Sequence, residues 1–134
     1  MARILVVDDR PKALEHLAKA AGIPGAHVVK ASSAKEALQR IAEDTFDVVV
    51  TDLHMETNVA GLDVLRAAKQ KDNYTQVIVI TAYGTPEIAV EALRIAAFDF
   101  LEKNAPGDIL EVLKGKIALA LEFRNTKLKE SGRL

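Results

Sequence analysis

Four apolar segments of the chain each end next to a side chain that can bind a metal ion or a phosphate. The first runs into Asp8 and Asp9, the second into Asp52, the third ends on Thr81, and the fourth precedes Lys103. Because the carboxyl ends of parallel strands line one crevice of an open sheet, residues far apart in the sequence converge there. Three carboxylates, a hydroxyl and an ammonium at one edge predict a site for a divalent cation and a phosphoryl group.

Asp52 is the candidate nucleophile, because a carboxylate can attack a phosphoryl group and form an acyl phosphate. Both reactants are anionic, so a cation must offset their repulsion. Asp8 and Asp9 supply the carboxylate ligands that Mg²⁺ prefers. Lys103 and the Thr81 hydroxyl are suited to contact the phosphoryl oxygens. Each residue alone has an ordinary explanation, such as a helix cap or a turn. Three clustered carboxylates without a cation would repel one another, and this favours a functional site.

The elements that position these residues follow from the hydrophobic pattern. Short β-branched segments alternate with longer segments of helical period, which is typical of repeated βαβ units. The short segments are continuously apolar, as expected for strands buried on both faces of a parallel sheet. The predicted strands cover residues 3–7, 27–31, 47–51, 77–81 and 98–102, the second being the weakest.

Capping residues set the limits of five predicted helices. Ser33 and Asp108 each have a glutamate three residues later, which is the capping-box pattern, and Thr85 precedes a proline suited to the first helical turn. The helices are predicted from residue 11 to 21, 33 to 43, 61 to 71, 85 to 97, and 108 to beyond 128. The fold class is therefore α/β, with a single doubly wound five-stranded parallel sheet and five helices.

Composition narrows the classes of function. A chain of 134 residues with 49% hydrophobic and 28% charged residues is typical of one globular domain. A net charge of −1 offers no general attraction for nucleic acid or a membrane surface. The sequence has no cysteine, which excludes disulfides and thiolate metal sites. The N-terminal apolar segment is too short for a signal peptide, so a cytoplasmic protein without a membrane span is predicted.

The last predicted helix is longer than the sheet requires. It would span about 30 Å, whereas a five-residue strand spans about 17 Å. Its last turns are therefore expected to project beyond the sheet, either to pair with a second copy or to lead into another domain. The alternative is fraying after Phe123. The predicted organisation is a domain at 1–122, followed by a helical extension or linker at 123–134.

With this alternation and these residues, the sequence resembles the receiver domain of two-component response regulators. The resemblance covers about residues 3–122 and implies the flavodoxin-like topology. Its most specific part runs from Thr81-Ala82-Tyr83-Gly84-Thr85 to Lys103, and the segment beginning at Asp52-Leu53-His54-Met55 also fits. The sequence is most similar to receivers that precede AAA+ transcription-activator domains.

The resemblance implies a role for each site residue. Asp52 would accept a phosphoryl group from a sensor histidine kinase or a phosphotransfer protein. Mg²⁺ would be held by Asp9, Asp52 and the main-chain carbonyl of His54, with Asp8 helping through water. Lys103 and Thr81 would contact the acyl phosphate. His54 and Tyr83 would modulate how long the phosphoryl group survives.

The resemblance also implies a switch. Phe100 would turn inward as Thr81 moves toward the phosphoryl group. The surface formed by the fourth helix, fifth strand and fifth helix would then change its preference for a partner, for a second copy of the chain, or for an effector domain. A homodimer through that surface or through the C-terminal helix is one implied form of output. The chain itself is not expected to bind nucleic acid or a membrane.

Three departures from the family pattern affect these expectations. Asn104 follows Lys103 where receivers usually have a proline after a cis bond, so either a costly cis bond is kept or the loop differs and Lys103 is less well aimed. The loop at residues 56–60 lacks the usual proline and is one residue longer. Phe100 has no hydroxyl where tyrosine is common, so a switch there would work by packing.

Other classes of function are open. A receiver-like interaction module that is not phosphorylated would keep the fold without the chemistry. An aspartyl-phosphate phosphatase of the haloacid-dehalogenase type would also use Asp52, but His54 stands where such enzymes have a second acid. A flavodoxin-like cofactor site is disfavoured because the first loop is acidic and lacks glycine. The chain is thus expected to catalyse only its own phosphorylation and dephosphorylation, if it is an enzyme at all.

Overall fold

The computed structural model describes residues 1–133, in which strands and helices alternate along the chain. The strands are β1 (Ala2–Val7), β2 (Ala26–Ala31), β3 (Val48–Asp52), β4 (Gln76–Thr81) and β5 (Asp99–Glu102). The helices are α1 (Pro11–Ala21), α2 (Ala34–Glu43), α3 (Ala60–Lys71), α4 (Pro86–Arg94) and α5 (Ile109–Glu130). The predicted strand limits agree with the structure to within one residue, including those of the weakest strand, β2.

The strands form one parallel sheet in the order β2-β1-β3-β4-β5. From β1 the chain moves first to one side, to β2, and then to the other side, to β3. This reversal opens a crevice at the carboxyl ends of β1 and β3, the usual place for a site in such sheets. Val7 lies opposite Thr51 in the register, so the next residues, Asp8 and Asp52, are neighbours. The predicted fold class is confirmed.

The continuously apolar strands are explained by helices on both faces of the sheet. In β1, Leu5 and Val7 pack in a core with α2, α3 and two residues of α4. Ile4 and Val6 pack in a second core with α1 and α5. All four side chains are fully buried, and burial of each stabilises the fold by about 1.5–3 kcal/mol. Both faces of the central strands must therefore be apolar, and the polar residues can only follow at the strand ends.

The predicted N-caps of three helices are confirmed. Side-chain oxygens of Ser33, Thr85 and Asp108 accept hydrogen bonds from main-chain N–H groups in the first turns of α2, α4 and α5. The first helix instead begins after Arg10, with Pro11 at its first position and no side-chain cap. Its start is set by the fixed φ of proline rather than by the preceding aspartates.

Helix α4 ends at Arg94, three residues before the predicted limit near Ala97. Ala96 takes a left-handed conformation with φ of 69°, and the Ala97 N–H donates to the Ala92 carbonyl. This is the hydrogen bond of a helix-terminating turn that usually contains glycine. The sequence has alanine there, so the usual signal for the end of the helix is missing and the predicted helix is too long.

Helix α5 continues without a break to Glu130, so the alternative in which it frays after Phe123 is wrong. Its last turns are attached to the amino-terminal edge of the sheet, where Arg124 and Leu128 are buried. The predicted domain boundary after residue 122 stays a prediction. It falls inside α5, which runs across this position without a break. Among residues 1–133, no helix combines the length and the apolar character that crossing a membrane requires.

Candidate functional site

The predicted site residues lie at the carboxyl ends of four adjacent strands. Asp8 and Asp9 follow β1, Asp52 is the last residue of β3, and Thr81 is the last residue of β4. Lys103 follows β5, and its main-chain N–H donates to the Thr81 carbonyl at 2.7 Å. This hydrogen bond continues the β4–β5 pairing beyond the end of β5. The strand order therefore brings together residues that are up to 95 positions apart in the sequence.

Lys103 joins the carboxylates of the first and third strands. Its Nζ lies 2.9 Å from Asp8 Oδ2 and 3.5 Å from Asp52 Oδ1. The Asp8 side chain is fully buried, that of Asp52 is 4% exposed, and that of Lys103 is 17% exposed. Charges shielded from solvent interact strongly, so the Lys103 ammonium holds both carboxylates in position. The predicted convergence of these three residues is present in the structure.

Three carboxylates are close enough to share one cation. One oxygen each from Asp8, Asp9 and Asp52 lies within 4.8 Å of the others. Asp9 is exposed, whereas the other two are buried. An all-oxygen donor set of this kind suits Mg²⁺, which keeps several waters and takes one or two carboxylates. The residues present therefore fit the predicted cation.

The electrostatics of Asp52 differ from those of an ordinary carboxylate. Burial raises the pKa of its carboxyl above the ordinary value, and the negative charge of Asp8 acts in the same direction. The positive charges of Lys103 and Arg10 oppose this rise in pKa without cancelling it. Desolvation therefore destabilises the anionic form of Asp52. A cation bound to its oxygen, or a new covalent bond there, would reduce this destabilisation.

Arg10 belongs to the site but was not predicted. Its main-chain N–H donates to Asp8 Oδ1 at 3.0 Å, and its Nε lies 3.8 Å from the same oxygen. Together with Lys103 it gives both Asp8 oxygens a donor. Its position directly after two aspartates was the only signal in the sequence, and a basic residue beside an acidic pair is too common to indicate a role.

A cleft of about 270 Å³ opens onto the carboxylates. Its lining residues are Asp9, Arg10, Asp52, His54, Ala82 and Tyr83. Across it, His54 Nε2 lies 2.8 Å from the Tyr83 main-chain oxygen, so the loops after β3 and β4 are joined. The imidazole is thus occupied by a main-chain partner rather than placed among the three carboxylates. Tyr83 itself is 77% exposed.

Thr81 and Phe100 lie next to each other behind the cleft. Thr81 is fully buried, and its hydroxyl accepts a hydrogen bond from the Tyr83 N–H at 3.2 Å. A Cβ at Gly84 would lie 2.8 Å from Phe100 Cε1 and 3.2 Å from Thr81 Cγ2. The half-buried Phe100 ring therefore fills the space that the absent side chain leaves. The need for glycine at this point was not predicted.

The loop after β5 does not follow either predicted alternative. No cis peptide bond occurs among residues 1–133, so the bond between Lys103 and Asn104 is trans. Lys103 nevertheless points at the carboxylates, and the expectation that it would be less well aimed is wrong. The Asn104 side chain donates to the Ala82 carbonyl at 3.0 Å, which attaches this loop to the one after β4.

Comparison with known proteins identifies the family. A family model described as the response regulator receiver domain matches residues 4–114. The chain belongs to this family. It is 36% identical over 129 residues to the response regulator protein PilR of Pseudomonas aeruginosa, which covers 96% of this chain and 28% of the relative. It is 34% identical over 125 residues to the regulatory protein AtoC of Escherichia coli, with 93% and 26% covered.

The chain spans about a quarter of the length of these curated relatives. The predicted similarity to receivers that precede AAA+ transcription-activator domains is confirmed. Among solved structures, a receiver domain from Clostridium thermocellum has a TM-score of 0.80 at 31% identity, covering 94% of this chain and 98% of that chain. NtrX of Brucella abortus has a TM-score of 0.83 at 31% identity, with 98% and 30% covered. The beryllofluoride-activated NtrC4 receiver domain dimer has 0.79 at 33% identity, with 92% and 99% covered.

Proposed function

We propose that this receiver domain is a phosphorylatable switch in which Asp52 accepts a phosphoryl group. The observation that carries the proposal is the position of the Lys103 ammonium between the buried carboxylates of Asp8 and Asp52. The same edge of the sheet gathers a third carboxylate, Asp9. A purely structural ion pair would need neither the additional acid nor a cleft that leads to it. Unpaired charge gathered in a cleft is typical of a functional site.

The cation is proposed to be Mg²⁺. Asp8, Asp9 and Asp52, with the main-chain carbonyl of His54, would hold it, Asp8 acting through water. When bound, it supplies positive charge that offsets the repulsion between the acid cluster and an anionic phosphoryl group. The spacing of the three carboxylate oxygens and their hard-oxygen chemistry support this assignment.

The chain's own residues would divide the phosphoryl transfer among them. An Asp52 carboxylate oxygen attacks phosphorus, so a P–O bond forms. The bond from phosphorus to the donor histidine nitrogen breaks, and the nitrogen keeps the electron pair. Lys103 keeps its ammonium beside the attacking carboxylate and can donate to a phosphoryl oxygen. The donor would be a sensor histidine kinase or a phosphotransfer protein.

Thr81 would couple this chemistry to the surface. Its hydroxyl, which accepts from the Tyr83 N–H at 3.2 Å, would move toward Asp52 and donate its proton to a phosphoryl oxygen. Phe100 packs beside Thr81 and Gly84, so the ring could follow into the space vacated. This is a two-state element biased by one new local charge, with packing rather than a hydroxyl of residue 100 carrying the change.

The output would be a changed surface on α4, β5 and α5, acting on a partner, a second copy or an effector domain. Val90 and Leu93 of α4 are exposed apolar side chains on this side of the sheet. A receiver domain dimer is described for NtrC4, and dimerisation is proposed here by analogy. Transcription regulation is proposed from the names of curated relatives, several of which are transcriptional regulatory proteins. A cytoplasmic location is part of the same proposal. His54 and Tyr83, which border the cleft, would modulate the lifetime of the phosphoryl group.

The test is incubation with a small acyl-phosphate donor, with and without Mg²⁺, followed by intact-mass measurement. The wild-type chain is expected to gain one phosphoryl group only when Mg²⁺ is present. Asp52→Asn should gain none, because an amide is not a nucleophile of this kind. Asp63→Asn is the matched control, since Asp63 is an exposed acid paired with Arg66 on α3, and it should label like the wild type. Equal labelling of the wild type and Asp52→Asn would overturn the proposal.

A further inference from the structure

The amino terminus of α2 is capped by two side chains from different parts of the chain. The N–H groups of Ala34 and Lys35 donate to Glu56 Oε1 and Oε2 at 2.9 and 3.0 Å. The third N–H, of Glu36, donates to Ser33 Oγ at 3.0 Å. The N–H groups of the first three helical residues, which lack partners within the helix, are therefore satisfied. Glu56 supplies two of the three hydrogen bonds from a distance of more than 20 residues in the sequence.

Glu56 lies in the loop that follows the proposed phosphoacceptor. Its carboxylate is placed at the positive end of the α2 dipole, a favourable position for an anion. Burial opposes ionisation, but the hydrogen bonds from Lys35 and Ala34 prevail and lower the pKa of the Glu56 carboxyl. The side chain is otherwise exposed, so these two hydrogen bonds are what give it a fixed position. It is an anchor between two loops at the carboxyl edge of the sheet.

The segment between Asp52 and Glu56 is held at both ends. At its start, the Leu53 N–H donates to the Ile80 carbonyl at 3.0 Å and continues the sheet. At its end, Glu56 is attached to α2. His54 lies midway, and its ring contacts the Tyr83 carbonyl at 2.8 Å. Three residues fastened at both ends have few conformations left, so the main-chain carbonyl of His54 is restrained in position.

We propose that Glu56 is a positioning residue for the cation site. By fastening the loop to α2 it holds the main-chain carbonyl of His54 where it can complete the oxygen set of Asp8, Asp9 and Asp52. A proline restricts such a loop through its own fixed φ. In this chain residues 53–60 contain no proline, and a two-oxygen anchor to a neighbouring helix restricts the loop instead. The proposal rests on the proposed function, because it concerns the same site.

The test compares Mg²⁺ affinity in two capping variants. Glu56→Ala removes the anchor and the cap together, whereas Ser33→Ala removes a cap from the same helix without touching the loop. Calorimetric titration of the chain with Mg²⁺ is expected to show about tenfold weaker binding for Glu56→Ala, the size typical of residues that orient metal ligands. Ser33→Ala should bind Mg²⁺ within twofold of the wild type. Glu56→Gln keeps the side-chain length and one acceptor oxygen, and it should lie between the wild type and Glu56→Ala.

Two further measurements separate positioning from other effects. Hydrogen exchange should show lost protection at the Ala34 and Lys35 amides in Glu56→Ala and at the Glu36 amide in Ser33→Ala. Repeating the titration at 1 M salt shortens the screening length from about 8 Å to about 3 Å. A loss of affinity caused only by the missing charge would shrink there, whereas a loss caused by a released loop would persist.

The outcomes are distinct. Mg²⁺ affinity of both Glu56 variants within twofold of the wild type, or an equal loss in Ser33→Ala, would overturn the positioning role and leave the proposed function intact. A loss that disappears at 1 M salt would also overturn it. A wild-type chain that binds no Mg²⁺ would overturn the proposed function together with this inference.

Discussion

At the carboxyl edge of the sheet, Lys103 lies between the carboxylates of Asp8 and Asp52, and at the amino edge Arg124 lies between those of Asp47 and Asp72. Arg124 Nε contacts Asp47 Oδ1 at 2.8 Å, and its Nη1 contacts Asp72 Oδ2 at 3.2 Å. We call these groups the upper and the lower cluster. In each cluster, one buried or half-buried cation joins a carboxylate at a strand end to a carboxylate from a distant part of the sequence.

The lower cluster is closed. The second oxygens of Asp47 and Asp72 accept main-chain N–H groups of Arg3 and Tyr74 at 2.7 and 2.9 Å, so all four carboxylate oxygens have a protein donor. The upper cluster contains one additional acid, the exposed Asp9, and it opens onto a cleft. Carboxylates whose oxygens all have protein donors form a structural clamp. A further carboxylate beside an open cleft leaves a place for an external cation. The third carboxylate and the access to it from the cleft, more than proximity, distinguish the two.

The largest effect is expected from breaking the lower cluster. Arg124→Met would leave two carboxylates at the foot of the sheet without their cation, and breaking such a buried pair costs about 3 kcal/mol of the free energy of unfolding. Urea denaturation measures the loss. Arg66→Ala is the control, because its ion pairs are exposed and worth less than about 1 kcal/mol. Equal losses in the two variants would show that the lower cluster is not a clamp.

A smaller effect is expected from a substitution at Gly61, which lies against the main chain of Asp52 and Leu53. A Cβ at Gly61 would meet the Asp52 carbonyl oxygen and lie 2.8 Å from Leu53 Cα, and neither main-chain atom can move freely. Gly61→Ala should therefore lower the free energy of unfolding by about 2 kcal/mol. Gly115→Ala, in α5 with open space around it, should raise it by about 0.5–1 kcal/mol. Thermal unfolding of both variants checks the contrast, and a loss at Gly115 or none at Gly61 would contradict it.

The smallest effect is expected in how the free energy of unfolding depends on pH. Because the pKa of Asp52 is raised in the folded chain, the folded state binds more protons than the unfolded state between the ordinary value of 3.8 and the raised value. Stability is therefore lost as pH rises through that window. Asn at position 52 does not titrate, so Asp52→Asn should be more stable than the wild type above the window, by about 1 kcal/mol or about 4 °C in Tm.

This advantage should shrink as the pH falls through the window and vanish below 3.8, where the wild-type carboxyl is protonated in both states. Melting curves in Mg²⁺-free buffer between pH 4 and 8 measure the difference in Tm. Adding Mg²⁺ at neutral pH should stabilise the wild type more than the variant, because binding to the folded state alone raises stability. A Tm difference that does not depend on pH would contradict the destabilisation assigned to the anionic form of Asp52.

The upper cluster could be predicted from the sequence because each of its members directly follows a hydrophobic segment. Strand ends are local signals, and the parallel order of strands then brings Asp8, Asp52 and Lys103 together. The lower cluster could not be predicted in this way. Arg124 lies inside a long helix, and its partners are fixed only by where that helix crosses the foot of the sheet.

Glu56 and Ala96 show two other limits. Glu56 contacts a helix more than 20 residues away, and nothing near it in the sequence indicates that helix as its partner. Ala96 ends α4 in a conformation for which glycine is the usual signal, so tertiary packing overrode local preference. Prediction succeeded where chemistry followed periodicity and failed where long-range contacts decided the geometry.

The most direct test of the account is to locate the phosphoryl group. After incubation with an acyl-phosphate donor and Mg²⁺, borohydride reduction of the acyl phosphate and peptide mass spectrometry identify the modified residue. We expect modification at Asp52 alone, with the acids of the lower cluster untouched. Modification at Asp47 or Asp72, or none at all in a chain that is folded and bound to Mg²⁺, would contradict it.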